Sequence, residues 1–219
     1  EYHQDKTTGA LTYSQKEFVD KMQFFPLGKE RKKQKTSPLT AAECTGFRSV
    51  LGGLQWCTHT RADHSAECSR LQSKRASPTV EDMCDANALL KRVKDTATKA
   101  VLTFRKQPSA RKRLLVFPDA SLNSVRKKNK KGVEIEESRT QAGWVILLTS
   151  DTETLDCDCV HVLNWASRKM TRVSKSTLAS EAIARVGAVE DAIRIAGWLE
   201  EIYGPATTTA QLIVKQEQG

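Results

Sequence analysis

LLVFPD, residues 114–119, is a short apolar run closed by a proline and an acidic residue, the pattern of a buried strand that ends at a carboxylate. A second apolar run follows at Ala142–Thr149, after a loop at Val125–Arg139 that mixes basic and acidic residues. A third, Cys159–Trp165, lies across a polar turn containing Asp151 and Asp156. Short runs with two intervening turns predict antiparallel neighbours in one sheet. From Ser176 to Tyr203 the period changes, with Leu178, Ile183, Val186, Val189, Ile193, Trp198, Leu199 and Ile202 at helical spacing, and Gly204-Pro205 ends the helix. Ala210–Val214 predicts one more strand. The order strand, strand, strand, helix, strand is α/β: a mixed sheet with packed helices.

Towards the N-terminus the pattern is helical. Leu11–Met22 places Tyr13, Phe18 and Met22 near helical spacing behind a possible Ser14 cap, and Pro26 and Gly28 stop it. Lys29–Pro38 is charged, lacks apolar anchors and reads as an exposed linker. Ala41–Thr60 and Val80–Ala97 repeat apolar residues every three or four positions and predict two helices, Pro78 opening the second near its first turn. The chain thus divides at residue 110 into a mainly helical part, 1–110, and a sheet-bearing part, 111–219.

The 219 residues, 39% of them hydrophobic, suffice for a buried core. The longest apolar run is the five residues Trp144–Leu148, far short of the roughly 20 that cross a bilayer, and no signal-peptide pattern opens the chain. A start at Glu1 rather than Met and an end at Gly219 after a strand-like run point to a piece of a longer protein. The formal charge of +9 is uneven: residues 1–113 carry 22 basic and 12 acidic side chains, residues 114–219 carry 13 and 14. A basic half suits a polyanion such as nucleic acid, or is a solvated lysine-rich surface. Six cysteines, at 44, 57, 68, 84, 157 and 159, form no CxxC pair and predict reduced thiols.

Motifs in the family's order, over residues 8–204, resemble copia-type LTR-retrotransposon Pol polyproteins. Tyr13-Ser-Gln-Lys-Glu-Phe18 is similar to a stretch late in their polymerase. Gly46-Phe-Arg-Ser-Val-Leu-Gly-Gly-Leu-Gln-Trp56, Thr60-Arg-Ala-Asp63, Pro78-Thr79 and Ala88-Leu-Leu-Lys-Arg-Val-Lys-Asp-Thr96 resemble the connection to RNase H. Phe117-Pro-Asp-Ala-Ser121, Arg139-Thr-Gln-Ala-Gly-Trp144, Leu163-Asn-Trp-Ala-Ser-Arg-Lys169 and Ser174-Lys-Ser-Thr-Leu-Ala-Ser-Glu-Ala182 resemble the RNase H domain itself. The departures are Asp119-Ala-Ser-Leu122 where the family has Asp-Ala-Asp-Trp, the basic insertion Arg126-Lys-Lys-Asn-Lys-Lys131, and no third catalytic aspartate before Gly219.

The resemblance implies an RNase H-like fold behind a reverse-transcriptase connection, and hydrolysis of the RNA strand of an RNA–DNA hybrid with two Mg²⁺ or Mn²⁺ ions about 3.5–4 Å apart. It implies Asp119 and Glu181 as metal ligands, with Ala184 and Ala188 giving the helix a small-residue face. On spacing alone Asp119 is equally a turn residue after Pro118, and Glu181 a favourable charge near a helix N-terminus. Glu190 and Asp191 lie about 13.5 and 15 Å along the helix from Glu181, too far to share its metals. Glu217 is a poor third ligand. The implied partners are the hybrid and the rest of the Pol polyprotein, without a membrane, in a cytoplasmic virus-like particle or the nucleus.

Other residue clusters give less. Cys57, His59, His64 and Cys68 bring four zinc-type donors within 12 residues, but their spacing fits no zinc knuckle. The basic runs Lys29–Lys35, Arg105–Arg113 and Arg126–Lys131 are phosphate contacts or solvated loops. A catalytically silent nucleic-acid-binding or scaffold module derived from such an element is the rival reading.

Overall fold

The computed structural model describes residues 1–107, 112–121, 140–150, 160–170 and 176–203, together with the backbone of 124–128 and 134–138. The molecule is mixed α/β and divides into two compact units: Glu1–Gln4 with Leu11–Thr103, and Asp5–Ala10 with Phe104–Gly219.

In the first unit, β1 (Tyr2–Gln4) pairs antiparallel with β2 (Leu11–Ser14), and β3 (Val101–Phe104) completes a sheet in the order β1-β2-β3. Tyr2 and Tyr13 are register partners, their rings stacked at 4.5 Å. The helix expected over Leu11–Met22 is therefore replaced in its first third by a strand. Leu11–Ser14 is captured by Tyr2–Gln4, and the helix, α1 (Lys16–Lys21), begins only after it. Ser14 acts as a turn residue, its Oγ accepting from the Lys16 amide at 3.2 Å. The linker expected at Lys29–Pro38 contains a one-turn helix, α2 (Lys29–Lys33). Its stabiliser lies outside the local sequence: the Arg31 guanidinium donates to both carboxylate oxygens of Glu43, at 2.9 and 2.7 Å.

Three longer helices, α3 (Ala41–Cys57), α4 (Ser65–Gln72) and α5 (Val80–Asp95), make the core of this unit. Both long helices open on capping boxes, Thr40 with Glu43 and Thr79 with Asp82, which satisfy amides that would otherwise lack acceptors. Phe47, Leu51 and Leu54 of α3, Leu71 of α4, and Met83, Leu89, Leu90 and Val93 of α5 are essentially inaccessible to solvent. Their three- and four-residue spacing is the sequence pattern made physical. The segment after α1 lies on α3 at two glycines. A Cβ on Gly46 would fall 2.0 Å from the Phe25 ring, and one on Gly53 would fall 2.4 Å from the Met22 methyl. Asn87 of α5 holds the same segment, accepting from the Phe25 amide at 3.0 Å and donating to the Phe25 carbonyl at 2.9 Å. Between α3 and α4, buried Arg61 donates to Asp63 at 3.0 and 2.8 Å, to the Val93 carbonyl at 3.2 Å and to Thr96 at 2.7 Å.

In the second unit, β4 (Lys112–Ser121), β7 (Gln141–Ser150) and β8 (His161–Lys169) form an antiparallel sheet in the order β4-β7-β8. The expected strands at 114–119, 142–149 and 159–165 are thus neighbours. The third runs on to Lys169 because its far end pairs with the start of β7, Gln141 opposite Lys169. The loop expected at Val125–Arg139 instead carries a hairpin, β5 (Ser124–Lys128) against β6 (Glu134–Ser138). Its register sets residue types of opposite sign at partnered positions, Arg126 with Glu136 and Lys128 with Glu134, a pairing that a search for apolar runs does not detect. The pairings among the described residues of this unit are antiparallel, and the strand expected at Ala210–Val214, which would make the sheet mixed, lies outside the described residues. The long helix α6 (Thr177–Tyr203) packs on the sheet through Ala188, Ala192, Ile195 and Leu199 against Leu114, Val116, Trp144, Ile146 and Leu148.

Two glycine substitutions on one helix are expected to act in opposite directions. Gly46→Ala forces the Phe25 ring to move and should lower stability by about 1–2 kcal/mol. At Gly52 an added Cβ meets nothing within 4 Å, so Gly52→Ala should raise stability by about 0.5–1 kcal/mol. Urea unfolding of the two variants beside the parent checks both signs.

Candidate functional site

Strand alternation sorts the residues of β4 into two sets. Leu114 and Val116 pack with α6, whereas Leu115, Phe117 and Asp119 belong to the alternate positions. The cross-strand register agrees: Val116 partners Ile146 of the α6-facing core, and Asp119 partners Gly143. Asp119 is exposed, two residues before the strand ends at Ser121. Glu181 lies in the second turn of α6, on the flank of the stripe that faces the sheet, one turn before the fully buried Ala184. Its carboxylate is 3.9 Å from the Arg185 guanidinium. The small-residue face expected at Ala184 and Ala188 is present, both having no exposed surface.

Oxygen donors of this kind suit Mg²⁺ or Mn²⁺. Asp119 and Glu181, however, start from different sides of β4, and among the described residues no three His, Cys, Asp or Glu side chains gather as a metal site. Glu217, weighed as a third ligand, lies outside the described residues. Glu190 is exposed on α6.

Asp191 has a different place from any the sequence assigns to it. Its buried carboxylate accepts from the Trp144 indole Nε1 at 3.0 Å and from Asn164 Nδ2 at 3.3 Å, and pairs with Arg194. One helix carboxylate thereby holds side chains of both β7 and β8. Trp144 is confined further by Gly187, where a Cβ would lie 3.1 Å from its ring, and by the Arg168 guanidinium 5.0 Å from its centroid. A register shift in β7·β8 between Ile146 and Leu147 sets Asn164 opposite Ile146, on the side that faces α6. The sequence signal for this role is positional: Asp191 falls on the same helical stripe as Ala184, Ala188 and Ile195.

A second buried polar group sits at the other end of β8. His161 Nε2 accepts from the Arg105 amide at 2.9 Å, and its ring meets Phe104 edge-on at 5.5 Å. Gln107 lies 3.2 Å from the ring nitrogens and accepts from Ser150 Oγ at 2.8 Å. Burial, with the nearby positive charges of Lys112 and Arg105, holds the His161 pKa below its ordinary 6.5. The imidazole is thus built in as a neutral acceptor.

The zinc-type donors keep separate company. Cys57 Sγ lies 3.7 Å from Met22 Sδ, Cys68 Sγ lies 3.7 Å from Gln55 Oε1, His59 stands edge-on to Trp56, and His64 adjoins Arg61 and Asp63. Burial pushes both thiols up to about 11, which disfavours the thiolate that zinc would need. Within the basic run Lys29–Lys35, Arg31, Lys33 and Lys35 each have an acidic partner, in Glu43, Glu30 and Glu81. Among the described residues no helix is long and apolar enough to cross a membrane. No family model, no curated protein and no solved structure matches the chain.

Two carboxylates should separate cleanly in stability measurements. Asp191→Ala strands two buried donors and is expected to cost about 2–3 kcal/mol, whereas Asp119→Asn, at an exposed position, should stay within about 0.5 kcal/mol of the parent. Chemical unfolding of both variants reads the difference. For His161 the sign follows from its lowered folded pKa: its contribution is complete above pH 6.5 and is lost as pH falls through the folded value. The urea midpoint should therefore fall from pH 7 to pH 5, and fall less in His161→Gln.

Proposed function

We propose that this chain is the end of a copia-type retrotransposon reverse transcriptase joined to an RNase H-like domain, with an RNA–DNA hybrid as substrate and the rest of the Pol polyprotein as partner. The carrying observation is the order within the second unit. Three antiparallel strands are followed by a long helix across them, with Asp119 near the end of the first strand and Glu181 in the second turn of the helix. Divalent ions would supply water activation and charge stabilisation in the intact parent. Within this chain, Asp119 contributes a solvent-accessible carboxylate and Glu181 one that is poised beside Arg185. Ligands beyond these two are needed for efficient hydrolysis, so the chain alone is a poor nuclease.

The second reading is a silent nucleic-acid-binding module. It is favoured by the strand alternation that sets Asp119 apart from the α6 face, and by the excess of basic residues in the first 113 positions.

Cleavage of a labelled RNA–DNA hybrid in Mg²⁺ separates the two readings. The nuclease reading expects slow, metal-dependent cutting that drops at least about a hundredfold, close to 2.7 kcal/mol of barrier, in Asp119→Asn and in Glu181→Gln. Cutting that survives both substitutions would exclude these carboxylates from the reaction. Tight hybrid binding with no cutting at all would favour the silent module.

A further inference from the structure

A cleft of about 630 Å³ opens in the first unit between α3 and the turn that follows α4, lined by Arg48, Leu51, Gly52, Gln72, Ser73, Arg75 and Ala76. Arg48, Leu51 and Gly52 lie three and four positions apart and so share one face of α3. Gln72, Ser73, Arg75 and Ala76 come from the end of α4 and the turn beyond it. Among the described residues, no carboxylate lines the cleft.

The two arginines differ from most of their neighbours in the same unit. Arg31 is paired with Glu43, Arg61 with Asp63, Arg70 with Asp85 and Glu67, and Arg92 with Glu67. Among the described residues, neither Arg48 nor Arg75 has an ion pair or a side-chain hydrogen bond. The Ala76 backbone N–H likewise has no acceptor there. An added Cβ at Gly52 would meet nothing within 4 Å, so the wall is open at that point. Both arginines line the cleft and are exposed to solvent, and the planar donor fork of a guanidinium matches phosphate oxygens.

We propose that this cleft binds a phosphate of a nucleic-acid backbone, held by Arg48 and Arg75. Three features choose the ligand. The volume is that of a ligand larger than one inorganic ion, in the range of about 300–1,000 Å³ typical of small-molecule sites. Among the described residues no aromatic side chain lines the cleft, so it offers no platform on which an unpaired base would stack, and the duplex backbone remains. The first unit itself carries a positive excess, 16 basic against 11 acidic side chains over residues 1–4 and 11–103. Binding here is independent of sequence and requires neither a metal ion nor Asp119 and Glu181, so it stands apart from the hydrolytic reading.

The test uses the full chain and a short fluorescein-labelled RNA–DNA hybrid, followed by anisotropy in EDTA, so that the result does not depend on cleavage. The variants are Arg48→Ala/Arg75→Ala and a control of equal charge loss, Lys91→Ala/Lys99→Ala, at exposed positions outside the cleft. Circular dichroism verifies that both fold. Affinity should fall about tenfold in the arginine variant and less than about threefold in the control. The slope of log K against log salt should shrink by about 0.9, the value for one phosphate no longer neutralised. Equal loss in both variants, or no loss in the arginine variant, would overturn the proposal. Inorganic phosphate supplies the remaining arm. Displacement of the hybrid only at tens of millimolar supports a backbone ligand, whereas phosphate binding tighter than about 1 mM that disappears in the arginine variant would overturn it in favour of a small phosphorylated ligand.

Discussion

In both units a bulky side chain lies hard against a helix glycine, where an added Cβ would crowd it. In the first unit Phe25 and Met22 lie in notches made by Gly46 and Gly53 of α3; in the second, the Trp144 ring lies on Gly187 of α6. Helix-interior glycine costs about 0.5–1 kcal/mol relative to alanine, so each notch must return more than that in packing. At Phe25 the return includes two hydrogen bonds with Asn87, one accepted and one donated by its amide, which satisfy a backbone N–H and carbonyl outside any helix or strand. At Trp144 it includes the indole hydrogen bond to Asp191, a buried acid with three partners on three elements. Close approach and polar satisfaction are one arrangement in each unit, and neither half works alone.

How much of this is legible in the sequence follows from the range of the forces involved. The α3 and α5 helices and the three strands of the second sheet are readable because each carries its own apolar period, and the two capping boxes mark helix starts within four residues. Leu11–Ser14 reads wrongly as helix because its strand depends on a partner seven positions upstream of it, across a hairpin that turns at Gly9, whose φ is +70°. The β5–β6 hairpin reads wrongly as loop because it matches residue types of opposite charge across its strands and carries no apolar run along them. Of the site, the strand end at Asp119 and the early helix turn at Glu181 are legible as positions. Which side of the sheet each one addresses is not, because strand parity is fixed by register with β7 and by the face that α6 covers. Asp191 escapes notice as a distant carboxylate so long as its rise along the helix from Glu181 is the only measure applied to it.

Charge tells a similar story of pairing rather than totals. The formal +9 does not say where the charge is free, because Arg31, Arg61, Arg70, Arg92 and Arg194 all have acidic neighbours. The Arg31–Glu43 pair is close enough to hold the Glu43 carboxyl down to about 2. A run of basic letters in the sequence is thus a weak guide to where an anion is attracted. Unpaired guanidinium groups in a concave setting are a stronger one, and they occur at Arg48 and Arg75, away from the most basic stretches.

The hold of Asn87 on Phe25 also orders events in time. Docking the segment closes a loop of 62 residues, a chain-entropy cost of about 3.7 kcal/mol beyond the length-independent constant. During synthesis at about 5–20 residues per second, Asn87 is added about 3–12 s after Phe25. For that interval the nascent Met22–Phe25 segment lacks its polar clamp, and its apolar side chains are held by no more than the glycine notches that follow it in the chain. The N-terminal part of the first unit is therefore made first and secured last.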